Sequence, residues 1–145
     1  MKNLSDDTGF LILQVSNSWR NYHEEILKKH YRISYIQYVV LADIYWFTLR
    51  NKKQVTQAML AKHTKIDPMT ISYIFKGLEA KGYICRVTHP TDVRAKAVNL
   101  TQEGKDLLCQ IVKTVAEADM KFFTALGKSA ERFNRDLMKL LQVNN

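Results

Sequence analysis

The chain has 145 residues, of which 46% are hydrophobic and 25% are charged, and its formal net charge is +8. This length predicts one domain with a substantial core, and the apolar content argues against general disorder. Two cysteines cannot form a disulfide framework, and no run of about 18 apolar residues is present, so a cytoplasmic protein without a membrane partner is expected.

The positive charge is concentrated in residues 50–96. This segment holds ten basic and three acidic side chains, so it carries +7 of the net +8, and the rest of the chain is nearly neutral. A solvated positive face without a partner is one interpretation. The segregation favours the other interpretation, a module that binds phosphates beside nearly neutral helices.

Two helices are predicted before the basic segment is reached. Apolar residues spaced three or four apart from Leu11 to Ile26 predict a helix over about 8–29. Ser34 followed three residues later by Gln37 is a capping-box pattern, which predicts the start of a second helix.

The basic segment itself begins with two short helices joined by a tight turn. Residues 50–54 are predicted to form a loop, after which Thr56 caps a helix that ends at His63. Asp67 is a favoured N-cap for the second helix, and Pro68 suits its first position because proline has no N–H to leave unpaired. Four apolar side chains should form the buried stripe of this helix: Ile71, Ile74, Phe75 and Leu78.

A β-hairpin with a basic tip is predicted next. Gly82 should end the preceding helix in the left-handed conformation that a Cβ disfavours. Residues 83–88 and 95–100 have strand-like composition, and residues 89–92 carry a turn signal between them.

Two longer helices should complete the chain. Thr101 is expected to cap a helix over 101–126, and Ser129 is expected to cap the last one, over 129–142. Like the helix over 8–29, both carry apolar stripes that one small module cannot cover, and this favours association with another copy.

Two short helices followed by a basic hairpin make a winged helix-turn-helix. The expected fold is therefore mainly α with a small β-hairpin wing. The DNA-binding module should span 34–100, and helical dimerisation regions should flank it at 1–33 and 101–145. The second short helix would enter the major groove of duplex DNA, where all four base pairs are distinguishable.

The candidate DNA-binding side chains come from the outer face of that helix and from the hairpin. Hydroxyl groups there can reach base edges or phosphates, Tyr73 can pack on a thymine methyl group, and Lys76 suits a phosphate. The alternative for each is structural, as a helix cap, a half-core residue or a surface charge. The candidates are Pro68, Met69, Thr70, Ser72, Tyr73, Lys76, Arg86, Asp92, Arg94 and Lys96.

Three runs of sequence resemble the MarR family of bacterial and archaeal transcriptional regulators. They cover residues 78–86, 89–94 and 100–104, and Leu60-Ala61 also fits that family. The resemblance spans nearly the whole chain, and it implies a homodimer whose first and last two helices interlock. It also implies that Asp92 orients Arg94, which enters the minor groove. Two recognition helices about 34 Å apart would then read a pseudo-palindrome.

Aromatic residues are frequent on the helices that this resemblance expects to line an effector pocket. Such walls, with phenol and imidazole groups, suit a small, flat, weakly acidic aromatic ligand. Packing in the core and at the dimer interface is the alternative explanation. The candidate pocket residues are Trp19, Tyr22, His23 and Tyr38.

The remaining chemistry of the sequence favours no other sensor and no enzyme. Cys85 is expected on a partly buried strand and Cys109 within a helix, which disfavours thiol sensing. The four histidines lack metal-ligand spacing, and there is no phosphate loop, no nucleophile elbow and no pair of carboxylates with a pocket signature. No catalytic residue, metal or cofactor is therefore expected.

The sequence thus predicts a sequence-specific DNA-binding transcriptional regulator. The expectation is a ligand-responsive repressor that binds a pseudo-palindromic operator as a homodimer, in the cytoplasm and associated with the nucleoid. The alternative is a winged-helix protein-interaction module without sequence-specific DNA binding.

Overall fold

The computed structural model describes residues 6–50, 54–88, 91 and 96–145. The described residues form helices and one small antiparallel sheet, which confirms the predicted fold class. None of their helices is long and apolar enough to cross a membrane. The elements are α1 (Thr8–Tyr31), α2 (Tyr35–Leu49), β1 (Val55–Thr56), α3 (Gln57–Thr64), α4 (Pro68–Ala80), β2 (Ile84–Thr88), β3 (Lys96–Leu100), α5 (Gln102–Phe123) and α6 (Ala130–Asn144).

The chain divides into two compact units, Met1–Val112 and Lys113–Asn145. The first unit contains the sheet and helices α1 to α4. Its core includes Leu41 and Ile44 from α2, Leu60 from α3 and Val98 from β3, all fully buried. The four residues predicted as the inner stripe of α4 are buried as well, so this helix is oriented as the sequence predicted.

Helix α2 begins at the predicted capping box. The Ser34 hydroxyl accepts a hydrogen bond from the Gln37 amide at 3.1 Å, and the Gln37 side chain accepts one from the Ser34 amide at 3.0 Å. The first helical amide, that of Tyr35, donates to the Glu24 carboxylate on α1. The start of α2 is therefore joined to α1 by a charged acceptor placed at a helix N-terminus, where negative charge is stabilising.

Opposing effects act on the Glu24 carboxyl. Partial burial raises its pKa. The hydrogen bond from the Tyr35 amide and the Lys28 ammonium at 2.9 Å lower the pKa by more than burial raises it, so the net pKa lies below its ordinary value. A carboxyl with a lowered folded-state pKa stabilises the fold above its unfolded pKa. That contribution is lost as the pH falls through the folded value.

The sheet has the strand order β1-β3-β2, and both pairings are antiparallel. Strand β2 pairs with β3 from Ile84 opposite Leu100 to Thr88 opposite Lys96, which is the predicted hairpin. Strand β1 was not predicted: it has two residues, too few to show an alternating pattern, and it exists because Val55 pairs with Val98 across the sheet.

Helix α5 begins against the residues that end α4. Thr101 accepts a hydrogen bond from the Gly104 amide at 3.0 Å, as predicted for a cap, and its hydroxyl donates to the Gly82 carbonyl at 2.6 Å. Its amide donates to the Tyr83 carbonyl at 3.1 Å. Gly82 has a φ of 77°, the predicted left-handed conformation. A Cβ at Gly104 would lie 2.1 Å from the Tyr83 carbonyl oxygen, so glycine is required there for space.

The predicted capping of the last helix was wrong. Helix α5 ends at Phe123, earlier than expected, and a 3-10 segment, Thr124–Ser129, precedes α6. Ser129 makes no side-chain capping bond because its backbone, with φ −81° and ψ −8°, is already helical rather than extended as an N-cap requires. The predicted break does occur at Gly127, which has a φ of 51°.

Strand β2 is partly buried, as expected, with Ile84 in the core, but Cys85 on this strand is exposed, and so is Cys109. Strand β2 lies at the edge of a three-stranded sheet, and its outward positions, including Cys85, are left uncovered.

Candidate nucleic-acid interface

Helix α4 has a buried face and an exposed face. The buried face is apolar, and its largest side chain, Phe75, is 1% exposed. On the other face Met69 is 82% exposed and Tyr73 is 79% exposed. Pro68 and Lys76 are also exposed, and Thr70 and Ser72 are half-buried. These six are all the candidates that the sequence analysis placed on α4, and none of them is in the core.

The start of α4 is capped as the sequence predicted. The Asp67 carboxylate accepts a hydrogen bond from the Thr70 amide at 2.9 Å, and the Thr70 hydroxyl donates to the same carboxylate. These two bonds hold the pKa of Asp67 below its ordinary value. The Thr70 hydroxyl proton is therefore used by the cap, and the carboxylate stands where the helix N-terminus would otherwise hold a phosphate.

A three-residue turn, 65–67, joins α3 to α4 and sets the angle between the two helices. Lys65 adopts the left-handed conformation, with φ 58° and ψ 22°. The Thr64 hydroxyl donates to the Leu60 carbonyl at 2.6 Å and accepts from the Ile66 amide at 3.3 Å. These bonds support a backbone conformation that is unfavourable for lysine by about 1 kcal/mol.

The described part of the wing is linked to α4 through Arg86 on β2. Its Nε atom donates to Glu79, in the last turn of α4, at 3.1 Å. Both side chains are substantially exposed, so the pair contributes at most about 1 kcal/mol to stability. Glu79 offsets part of the charge of Arg86, whose predicted contact with DNA stays a prediction.

The tip of the wing falls beyond the part of the chain that the structure describes. Asp92 and Arg94 lie outside the described residues. Lys96 begins β3 opposite Thr88, but its side chain is not among the described groups. Their predicted roles at the minor groove therefore stay predictions.

The four predicted pocket residues form a cluster centred on Tyr35. Trp19 lies 5.2 Å from Tyr35 and 4.5 Å from His23 between ring centroids, and Tyr38 lies 5.9 Å from Tyr35. Tyr22 contacts His23 edge to face at 5.7 Å. His23 is fully buried, with Nδ1 2.8 Å from the Trp19 carbonyl oxygen. These contacts pack α1 against the start of α2.

An open cleft of about 510 Å³ lies beside that cluster, within the first unit. Arg20, Asp43 and His63 bring charged and titratable groups to it, and Tyr35 is the member of the cluster that reaches it. None of the four predicted pocket residues lines it. Its lining residues are Arg20, Tyr35, Ile36, Val39, Asp43, His63, Thr64 and Ile66.

One wall of the cleft joins α2 to α3. His63 Nδ1 lies 3.1 Å from an Asp43 carboxylate oxygen. The imidazole stacks on Trp46 at 5.9 Å and meets Phe47 edge to face at 5.1 Å. Sequence reasoning missed this wall because Asp43 and His63 are 20 residues apart and each resembles an ordinary surface residue. Among the residues that the structure describes, no group of three or more potential metal ligands is present.

Comparison with known proteins agrees with this architecture. The family model of the ArnR1-like winged-helix domain matches residues 29–118. YdcH of Bacillus subtilis (strain 168), named as an uncharacterized HTH-type transcriptional regulator, is 30% identical over 134 residues, covering 92% of this chain and 89% of that protein. The HTH-type transcriptional regulator SarZ of Staphylococcus aureus (strain USA300) is 29% identical over 125 residues, covering 82% and 78%.

Solved structures share the fold. A MarR-family regulator from Rhodococcus sp. RHA1 superposes with a TM-score of 0.80 at 23% identity, covering 100% of both chains. A mutant MarR from E. coli complexed with operator DNA gives 0.77 at 24% identity, covering 92% of this chain and 91% of that one. The S. aureus MepR–DNA complex gives 0.77 at 21% identity, covering 96% and 97%. The chain therefore belongs to the ArnR1-like winged-helix family, is related to HTH-type transcriptional regulators and shares the fold of MarR-family regulators.

Proposed function

We propose that this regulator binds DNA sequence-specifically as a homodimer, with α4 in the major groove and the wing on the flanking minor groove. The observation that carries the proposal is the outer face of α4, which is exposed although the helix is anchored by a fully apolar inner face. Structures of the same fold have been solved with DNA, one of them with operator DNA.

The candidate residues have four different roles in this proposal. Met69, Ser72 and Tyr73 are positioned for base edges, and Lys76 for a phosphate. Pro68 and Thr70 shape the start of α4. The wing residues serve the backbone and the minor groove: Arg86, Asp92, Arg94 and Lys96.

Sequence specificity and the phosphate role of Lys76 can be tested together. Footprinting on genomic fragments should reveal a protected pseudo-palindrome with half-sites about 34 Å apart. In a salt titration, Lys76→Ala should reduce the slope of log affinity against log salt by about 0.9 for each phosphate that is no longer neutralised, hence by about two in a dimer.

Lys128→Ala is the matched control, because it removes one lysine outside residues 34–100 and should leave the slope unchanged. An unchanged slope in Lys76→Ala would remove that residue from the phosphate backbone. If no palindrome is protected on any fragment, the protein-interaction alternative is favoured instead.

The proposed dimer uses the apolar surface that each unit leaves uncovered. In the first unit, five large apolar side chains near the start of α1 are exposed: Phe10, Leu11, Ile12, Leu13 and Val15. In the second unit, α6 exposes Leu137, Met138, Leu140, Leu141 and Val143. Apolar surface of this extent is characteristic of protein interfaces. We infer that 1–33 and 101–145 form the dimerisation region around the DNA-binding module at 34–100.

Sedimentation should therefore give a mass of twice the 16.9 kDa chain. Replacing Leu141 with glutamate should shift the protein toward the monomer, because a charge would be buried in the interface. Lys139→Gln, an exposed change on the same helix, should leave the dimer intact. A monomeric wild-type protein at micromolar concentration would contradict the proposal.

Effector response is the finer part of the proposed function. The volume of the cleft lies within the range of small-molecule sites, and Arg20 offers a cation for a small aromatic acid. The predicted pocket residues Trp19, His23 and Tyr38 contact its Tyr35 wall. The cleft is bounded by α1, α2 and α3. A ligand that binds one arrangement of these helices more tightly than another would shift the protein toward that arrangement and so change its affinity for DNA.

The same footprint, repeated during a salicylate titration, tests this part. Release of DNA, and hence relief of repression, is the expected result for a cytoplasmic, nucleoid-associated repressor. A footprint that stays unchanged across a panel of aromatic acids would favour simple packing as the role of the aromatic cluster.

A further inference from the structure

Met69 and Tyr73 are the two most exposed large hydrophobic side chains among the residues that the structure describes. They lie four positions apart on α4, so they share one face of the helix. Neither belongs to the buried stripe of α4. The fold gives them no packing role, so both side chains are available to a partner.

The charge around this pair selects the kind of partner. Lys76 follows Tyr73 by three positions and is exposed on α4, and the segment 50–96 carries +7. A polyanion is therefore the complementary occupant. Apolar side chains that approach duplex DNA from the major groove find one apolar feature on the base edges, the C5-methyl group of thymine.

The composition of α4 offers few polar side chains for reading bases. Residues 68–80 contain no arginine, asparagine or glutamine, and the one side chain of the guanine-reading type is Lys76. The nearest arginine on β2, Arg86, is paired with Glu79. The outer face of α4 is left with an apolar pair, two small hydroxyl residues and one lysine.

We propose that Met69 and Tyr73 specify thymine through its methyl group, so that each half-site presents thymines beneath this pair. This inference rests on the proposed DNA-binding function and defines the operator that it recognises. Four residues of helix rise by about 6 Å, close to two base-pair steps of about 3.4 Å. The recognised thymines therefore lie about two steps apart, and Lys76 adds affinity that does not depend on sequence.

Substitution of thymine by deoxyuridine in the footprinted operator tests this directly. The change removes only the methyl group and leaves every hydrogen-bonding atom of the base in place. Each contacted position should lose affinity about fourfold, which corresponds to the transfer of one methyl-sized group out of an apolar contact. Thymines elsewhere in the site should tolerate the substitution.

The variants assign the effect to the two side chains. Met69→Ala and Tyr73→Ala should each weaken binding to the thymine operator. At the position that the replaced side chain contacts, each variant should bind the thymine and deoxyuridine operators with equal affinity. Lys76→Ala is the matched control, since it should weaken both forms equally and keep the discrimination. Thermal melting checks that each variant is folded, and the comparison of the thymine and deoxyuridine operators with the wild-type protein needs no variant.

The outcomes separate this inference from the function on which it rests. Absence of any protected site overturns the DNA-binding proposal itself. A protected site with equal affinity for both forms at every position leaves that proposal standing and overturns the methyl readout. Discrimination that persists in both Met69→Ala and Tyr73→Ala overturns the assignment to this pair, since the methyl effect would then arise from other residues or from the stiffness of the DNA.

Discussion

Replacing Gly104 with alanine should destabilise the folded chain by about 3 kcal/mol. The new Cβ would lie 2.1 Å from the Tyr83 carbonyl oxygen, and this neighbour is backbone that cannot rotate away. The first turn of α5 would have to shift, which would break the bonds of Thr101 to Gly82 and Tyr83. This loss exceeds the gain of about 1 kcal/mol that alanine brings to a helix interior. Urea denaturation measures the difference.

Gly77→Ala is the matched control for Gly104→Ala, because Gly77 is also helical. Its Cβ would lie 3.2 Å from the end of the Gln37 side chain, so that amide needs to give by only a few tenths of an ångström within its capping box. The Gly77 variant should therefore be close to wild type in stability. Equal denaturation midpoints for the Gly104 and Gly77 variants would show that the close approach of α5 to Tyr83 does not exist in solution.

Replacing Phe75 with alanine should cost about 3–5 kcal/mol of the free energy of unfolding. Phe75 is 1% exposed and lies on the inner face of α4, so its removal leaves a cavity that the surrounding core can only partly fill. A loss of this size is a large fraction of the stability of a typical domain. Thermal and urea unfolding followed by circular dichroism would measure it.

Tyr73→Ala provides the control on the same helix. It removes a ring of similar size from a side chain that is 79% exposed, so its effect on stability should stay within about 0.5 kcal/mol. The two variants should therefore separate folding from binding: Phe75→Ala loses stability, and Tyr73→Ala loses affinity for DNA. Equal stability losses would mean that α4 is rotated from the orientation described.

The starts of α2, α3 and α4 could be predicted from sequence because their signals are local. Ser34 with Gln37, Thr56, and Asp67 with Pro68 each act on amides no more than three residues away. The same holds for the face that α4 buries, since the spacing of Ile71, Ile74, Phe75 and Leu78 is itself the signal. Ser129 shows the limit of such rules: a good capping residue does not cap when its own backbone is drawn into a helical conformation.

Other features depend on partners that are distant in the chain. Strand β1 is too short to be recognised by itself and forms because β3 is beside it. The cleft brings together Arg20, Asp43 and His63 from three helices, and no spacing rule connects them. Cys85 was expected on a partly buried strand, and only the packed fold shows that its own side chain is on the exposed part of that strand.

The order of elements, the helix starts from α1 to α5 and the exposed outer face of α4 were thus determined by the sequence alone, because capping and periodicity act within a few residues. The tertiary structure decided the rest: that Gly104 is required for space, that Glu79 pairs with Arg86, and that the wall of the cleft is built from Asp43 and His63. Each of these depends on the distance between groups that are remote in the chain, and only the packed fold sets that distance.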